Sequence, residues 1–122
     1  MEGFKLVRGD SISLLVTFDD GGDPPQPIDI GGRTLTFTAK RDYDDPDSAA
    51  LVQVSVTFPA NADSAGGKGW FFVPHTETED LTIGDEVVCD FQETYTDSRG
   101  NLNVTTLEVF KKTVLPDVTR GV

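Results

Sequence analysis

Three stretches of this chain alternate apolar and polar residues with a period of two, and breaks rich in glycine, proline and aspartate separate them. In Ser11 to Phe18, Ile12, Leu14, Val16 and Phe18 fall on one face and Ser11, Ser13 and Thr17 on the other, with Leu15 out of phase. Thr34 to Ala39 sets Leu35, Phe37 and Ala39 against three threonines, and Leu51 to Phe58 sets Val52, Val54, Val56 and Phe58 against Gln53, Ser55 and Thr57. Successive side chains of an extended strand point to opposite faces, so a strand with one buried face writes this pattern. Gly69 to Val73, Val87 to Tyr95 and Asn103 to Val114 are also β-rich, and Phe4 to Val7 reads as a short edge strand. Six or seven strands result.

The breaks are Asp19-Asp-Gly-Gly-Asp-Pro-Pro25, Gly31-Gly32, Asp44-Asp-Pro46, Ala65-Gly-Gly67 and Asp97-Ser-Arg-Gly-Asn101. They hold the residues that tolerate or impose turn geometry. None is long enough to link two domains, so residues 1–122 are expected to form one domain, a size that buries roughly two thirds of its unfolded surface. Single helical turns are expected at 47–51 and at 76–81, the second with Thr76 as N-cap and Glu79 at N3, and no other helix. Short strands with turns between them predict an all-β fold, a β-sandwich of about seven strands with Greek-key connections. Shared phase in the alternating segments predicts a core of Ile12, Leu14, Val16, Leu35, Phe37, Val54, Phe72, Cys89 and Phe91.

A lone cysteine, Cys89, rules out a disulfide framework. The first residues hold neither a basic n-region nor an apolar h-region, and no apolar run approaches the ~20 residues of a membrane helix. A chain made and kept in the cytoplasm is the expectation. The net charge of −11 repels phosphate backbones and anionic lipid over about a Debye length, which argues against nucleic acid and membranes as partners.

No residue set assembles a convincing catalytic site. His75 is the only histidine, so no second imidazole can complete a zinc site; it reads as a surface or hinge residue. Cys89, between Val87 and Phe91, reads as a small buried hydrophobe, and Glu86 and Asp90 beside it argue against a reactive thiol. The acidic loops Asp19/Asp20/Asp23 and Asp42/Asp44/Asp45/Asp47 raise a calcium hypothesis, but neither has EF-hand spacing, and aspartate is a good turn former. No metal or cofactor is expected. Arg8-Gly9-Asp10 matches an integrin-binding tripeptide; between two predicted strands it reads as a turn made by Gly9 and capped by Asp10. Asn103-Val-Thr105 is a glycosylation sequon by pattern only. In Trp70-Phe-Phe72, Trp70 and Phe72 share one face and Phe71 takes the other. Core packing on both faces is the expectation, and a surface aromatic for sugar or protein contact is the alternative.

Leu6-Val-Arg-Gly-Asp-Ser-Ile12 and its strand, Ile28-Asp-Ile-Gly-Gly-Arg-Thr-Leu-Thr-Phe-Thr-Ala-Lys40, Asp44 through Leu51, and Val114-Leu-Pro-Asp-Val-Thr119 resemble the N-terminal domain of phage baseplate upper proteins and its short single-domain virion relatives. In that family an Arg-Gly-Asp turn opens a strand, an Asp-Leu-Thr-Gly-Ala turn leads into a Thr-Phe-Thr-Ala-Lys strand, and an acidic loop precedes an Ala-Leu step. Here Ile30 and Arg33 depart from the usual small or hydroxyl residues of the second turn. The resemblance implies an immunoglobulin-like module, no catalytic residues, and a place in the virion after assembly in the host cytoplasm. It implies a non-enzymatic structural or accessory role at the tail or baseplate, through binding other virion proteins or copies of itself. With nothing after residue 122, a small accessory subunit is expected. A capsid decoration protein and a carbohydrate- or cell-surface-binding module are the alternatives, and no small-molecule substrate is expected.

Attachment is expected at strand edges, which a sandwich must block or use. Phe4 to Val7 and Val104 to Val114 supply the expected edges. Phe4 and Val109 are the expected contacts, and Lys5, Lys111 and Lys112 the basic residues that blunt self-association while admitting a specific partner. The acidic loops are expected to face solvent.

Overall fold

A computed structural model describes residues 3–117. Six strands form two antiparallel sheets: β1 (Ile12–Thr17), β2 (Thr34–Lys40), β3 (Val52–Thr57), β4 (Lys68–Val73), β5 (Glu86–Thr96) and β6 (Leu102–Thr113). One sheet pairs β1 with β4, and the other runs β3-β2-β5-β6. The domain is thus a β-sandwich of four strands on two, and the alternating segments found in the sequence are its strands. Their inner faces meet in one core.

Phenylalanines hold that core. Phe37 and Phe91 lie opposite each other on β2 and β5, with ring centroids 5.1 Å apart. Phe71 of the facing sheet meets Phe91 edge-on at 5.6 Å, the arrangement the ring quadrupoles favour. At one end Gly69 leaves the space that Phe58 fills: a Cβ on Gly69 would lie 2.4 Å from the Phe58 ring.

Ile12, Val16, Leu35, Phe37, Cys89 and Phe91 are buried as predicted, and Leu14 and Val54 pack against the core while partly exposed. Phe72 is a correction: it faces solvent, and the core positions of β4 are Phe71 and Val73. The register explains this, because Leu14 pairs with Phe71 and Ser13 with Phe72, so the outward phase of β1 carries Phe72 outward with it. Core packing on both faces of β4 therefore does not hold.

Two further expectations are corrected. Phe4 to Val7 forms no strand; Val7 makes a single parallel bridge to Leu115, while Leu6 is buried. A helical turn, α1 (Ala62–Ala65), stands where none was expected, closed by a capping box in which Asn61 and Ser64 bond each other's backbone N–H. The expected turns at 47–51 and 76–81 are 3₁₀ turns at Asp47–Ala49 and His75–Glu77, the latter entered from Pro74 rather than capped by Thr76. No described helix is long and apolar enough to cross a membrane.

Candidate functional site

The turn at Arg8-Gly9-Asp10 is built into the fold. Gly9 adopts φ +82°, a left-handed conformation that glycine reaches without steric cost. Arg8 pairs with Asp117 at 2.9 Å, and the buried Thr78 hydroxyl donates to the Asp10 carbonyl at 2.8 Å. Cys89 is buried, and burial pushes its thiol up to about 12, with the Lys112 charge pulling the other way. A thiol in that state is not a nucleophile at neutral pH.

Three carboxylates of the acidic loops, those of Asp19, Asp20 and Asp45, are used on their own loop backbone. Asp20 accepts from the N–H groups of Gln26 and Gly22, which hold its carboxyl below the usual range. Asp19 accepts from Gly21, Asp45 accepts from the Asp42 N–H, and Asp47 pairs with Lys40 at 2.7 Å. Among the described residues, no three His, Cys, Asp or Glu side chains converge as a metal site would require.

The expected interface residues divide between outward-facing and inward-facing positions. Val109 is exposed, and Lys111 lies 3.6 Å from Glu86 in an exposed pair. Phe4 and Lys112 instead turn inward. Phe4 packs edge-on against Phe37, Phe91 and Phe110. Lys112 donates to the Phe4 carbonyl and lies over the Phe4 ring at 4.8 Å. Lys112 thus fastens the N-terminal segment and does not guard an edge. Lys5 is exposed beside it. Removing residues 1–7 would take Phe4 and Leu6 out of the core, so that truncation cannot separate attachment from folding.

β6 is an edge of the four-stranded sheet, and its pairing with β5 shifts register at Phe91/Gln92, where Glu108 and Thr106 are the partners. The extra residue is Leu107, and such a bulge disfavours strand addition along an edge.

Apolar exposure that includes two aromatic rings lies on the other sheet. Leu15 and Trp70 are cross-strand partners on the outer face of β1–β4, and Phe72 follows Trp70 by two residues on the same face. They are 53%, 62% and 50% exposed. Beside them a groove of about 360 Å³ opens between β4 and the β3 edge, lined by Leu15, Trp70, Val56 and Phe58 together with Lys68 and Asp63. Three large side chains held side by side in water form a surface that gains free energy when covered. The sequence signals were the out-of-phase Leu15 and the Trp70 cluster; the register that joins them was not readable locally.

No protein-family model matches the chain, and no curated protein is similar to it.

Proposed function

We propose that the protein is a bacteriophage virion structural or accessory protein, associated with the tail or baseplate, that acts by binding another virion protein through the outer face of β1–β4. The observation that carries the binding role is the contiguous exposure of Leu15, Trp70 and Phe72. The virion assignment rests on the sequence resemblance. The connectivity supports the same family of folds: a β3-β2-β5-β6 sheet facing a β1–β4 pair has the order of the C′CFG strands and the B–E pair of an immunoglobulin sandwich. Trp and other aromatics are the side chains that most often dominate binding energy at protein interfaces.

The test is incorporation into particles. Trp70→Ser and Leu15→Ser change exposed side chains, so the fold survives while copies of the protein per purified particle fall. Normal occupancy with both substitutions combined would refute the surface named here. An exposed tryptophan also suits a carbohydrate-binding module; a glycan array, run with and without calcium, on which the wild type binds and Trp70→Ser does not would favour that reading.

A further inference from the structure

A second concavity, on the outer face of the β3-β2-β5-β6 sheet, has a different chemistry. Thr38 of β2, Gln53 of β3, and Asp90 and Gln92 of β5 contribute to it, and the β2–β3 connection adds Tyr43 and Asp47. Its volume is about 230 Å³, below the roughly 300–1,000 Å³ of sites for drug-sized molecules. One side chain fits it better than an extended ligand.

The charges in this groove are uneven. Lys40 is matched already, its ammonium held by Asp47 at 2.7 Å and by the Asp45 carbonyl at 2.8 Å. Asp90 pairs across the sheet with Thr38 and Val109, and its carboxylate has no hydrogen bond within the described residues. Burial pushes its carboxyl above the usual range, and Lys40 offsets only part of that. At the rim Tyr43 is 72% exposed. The net charge of −11 selects further against an anionic occupant and for a cationic one.

The inner face of the same sheet shows what such a set of groups can hold. There Arg33 stacks on the Tyr95 ring at 3.8 Å and donates to Glu93 at 3.1 Å. A guanidinium can use a carboxylate, neutral oxygen acceptors and an aromatic face together, whereas an ammonium lacks the planar fork.

We infer that the groove receives an arginine side chain of a protein that docks on this sheet, across the sandwich from the β1–β4 face, its guanidinium paired with Asp90 and lying against Tyr43, with threonine and glutamine oxygens accepting the remaining N–H groups. This rests on the reading above that the protein acts by binding other proteins, and adds a second contact surface with the chemistry of what it takes.

The full chain, labelled with ¹⁵N, is titrated with N-acetyl-arginine amide, with N-acetyl-citrulline amide as the uncharged isostere, and with methyl glucoside and methyl galactoside. Arginine is expected to give saturable shifts at the amides of Tyr43, Asp90 and Gln92, with citrulline about tenfold weaker for loss of the charge-assisted bonds. Asp90→Asn and Tyr43→Ala, both altering solvent-side groups whose folding the same spectra verify, abolish the shifts, and Trp70→Ser leaves them intact. The inference is overturned if arginine gives no saturable shift, if citrulline or a glycoside binds as tightly, or if Asp90→Asn binds normally. Such a failure, with Trp70→Ser still defective in particle incorporation, sinks the groove alone. Arginine binding with normal incorporation of the Leu15 and Trp70 variants supports the groove and sinks the β1–β4 face.

Discussion

Adjacent phenylalanines on β4 should behave as different kinds of residue when truncated. Phe71 is completely buried, with its ring edge-on to Phe91. A buried aromatic removes roughly 150–250 Å² from water, which at ~25 cal/mol/Å² is about 4–6 kcal/mol, less the part alanine retains. Loss of the edge-to-face contact adds about 0.5–1.5 kcal/mol. Phe71→Ala should therefore cost about 3–5 kcal/mol, the range for buried aromatic truncations. Phe72 is half in water and lies across from Ser13, so its truncation opens no cavity and should cost about 1 kcal/mol or less. With a urea m-value of about 2 kcal/mol/M, the midpoint should fall by about 2 M for Phe71→Ala and by about 0.5 M or less for Phe72→Ala. Particle incorporation should show the reverse order among molecules that remain folded. Equal midpoint shifts, or a larger one for Phe72→Ala, would show that the register of β1 on β4 is wrong.

Gly69→Ala should destabilise by about 1–3 kcal/mol, because the new methyl meets the Phe58 ring; a Phe58→Leu, Gly69→Ala double variant that recovers part of the loss in urea melts would confirm the contact. The Cys89 thiol, buried and shifted up to about 12, should stay inert to a disulfide reagent in the native state and react on unfolding; rapid labelling of folded protein would contradict its placement. Asp97 is held below its ordinary 3.8 by the Asn101 N–H first and the Asn103 side chain next, and Asp20 is lowered by its own loop. A carboxylate depressed in the folded state stabilises above its unfolded value, and that contribution is lost as pH falls through the folded one. The melting temperature should therefore hold from neutrality to about pH 4–5 and fall below it. Asp90 is raised by burial, so its sign is opposite: Asp90→Asn should raise the melting temperature at pH 7 and leave it unchanged at pH 3, and a loss of stability at pH 7 would contradict the assignment.

Strand positions and most of the inner faces of β1, β2, β3 and β5 were legible in the chain itself, because a period of two is a local property that each segment carries alone. The turns were legible for the same reason: Gly9 at positive φ and the aspartates bonding their own loops act within a few residues. In Gly69-Trp-Phe-Phe-Val73 both phases are apolar, so nothing local says which face is core. Pairing with β1 decided it, together with the Phe58 ring that needs a residue without a side chain at position 69. The bulge in β6 reverses the alternation partway along that strand, which is how Lys112 comes to point inward while Val109 and Lys111 face out. Both candidate surfaces join residues far apart in sequence, Leu15 with Trp70 and Tyr43 with Asp90. Composition and periodicity determined that this chain makes strands with one wet face; which wet residues stand together depended on strand pairing and register, a long-range choice that no single segment carries.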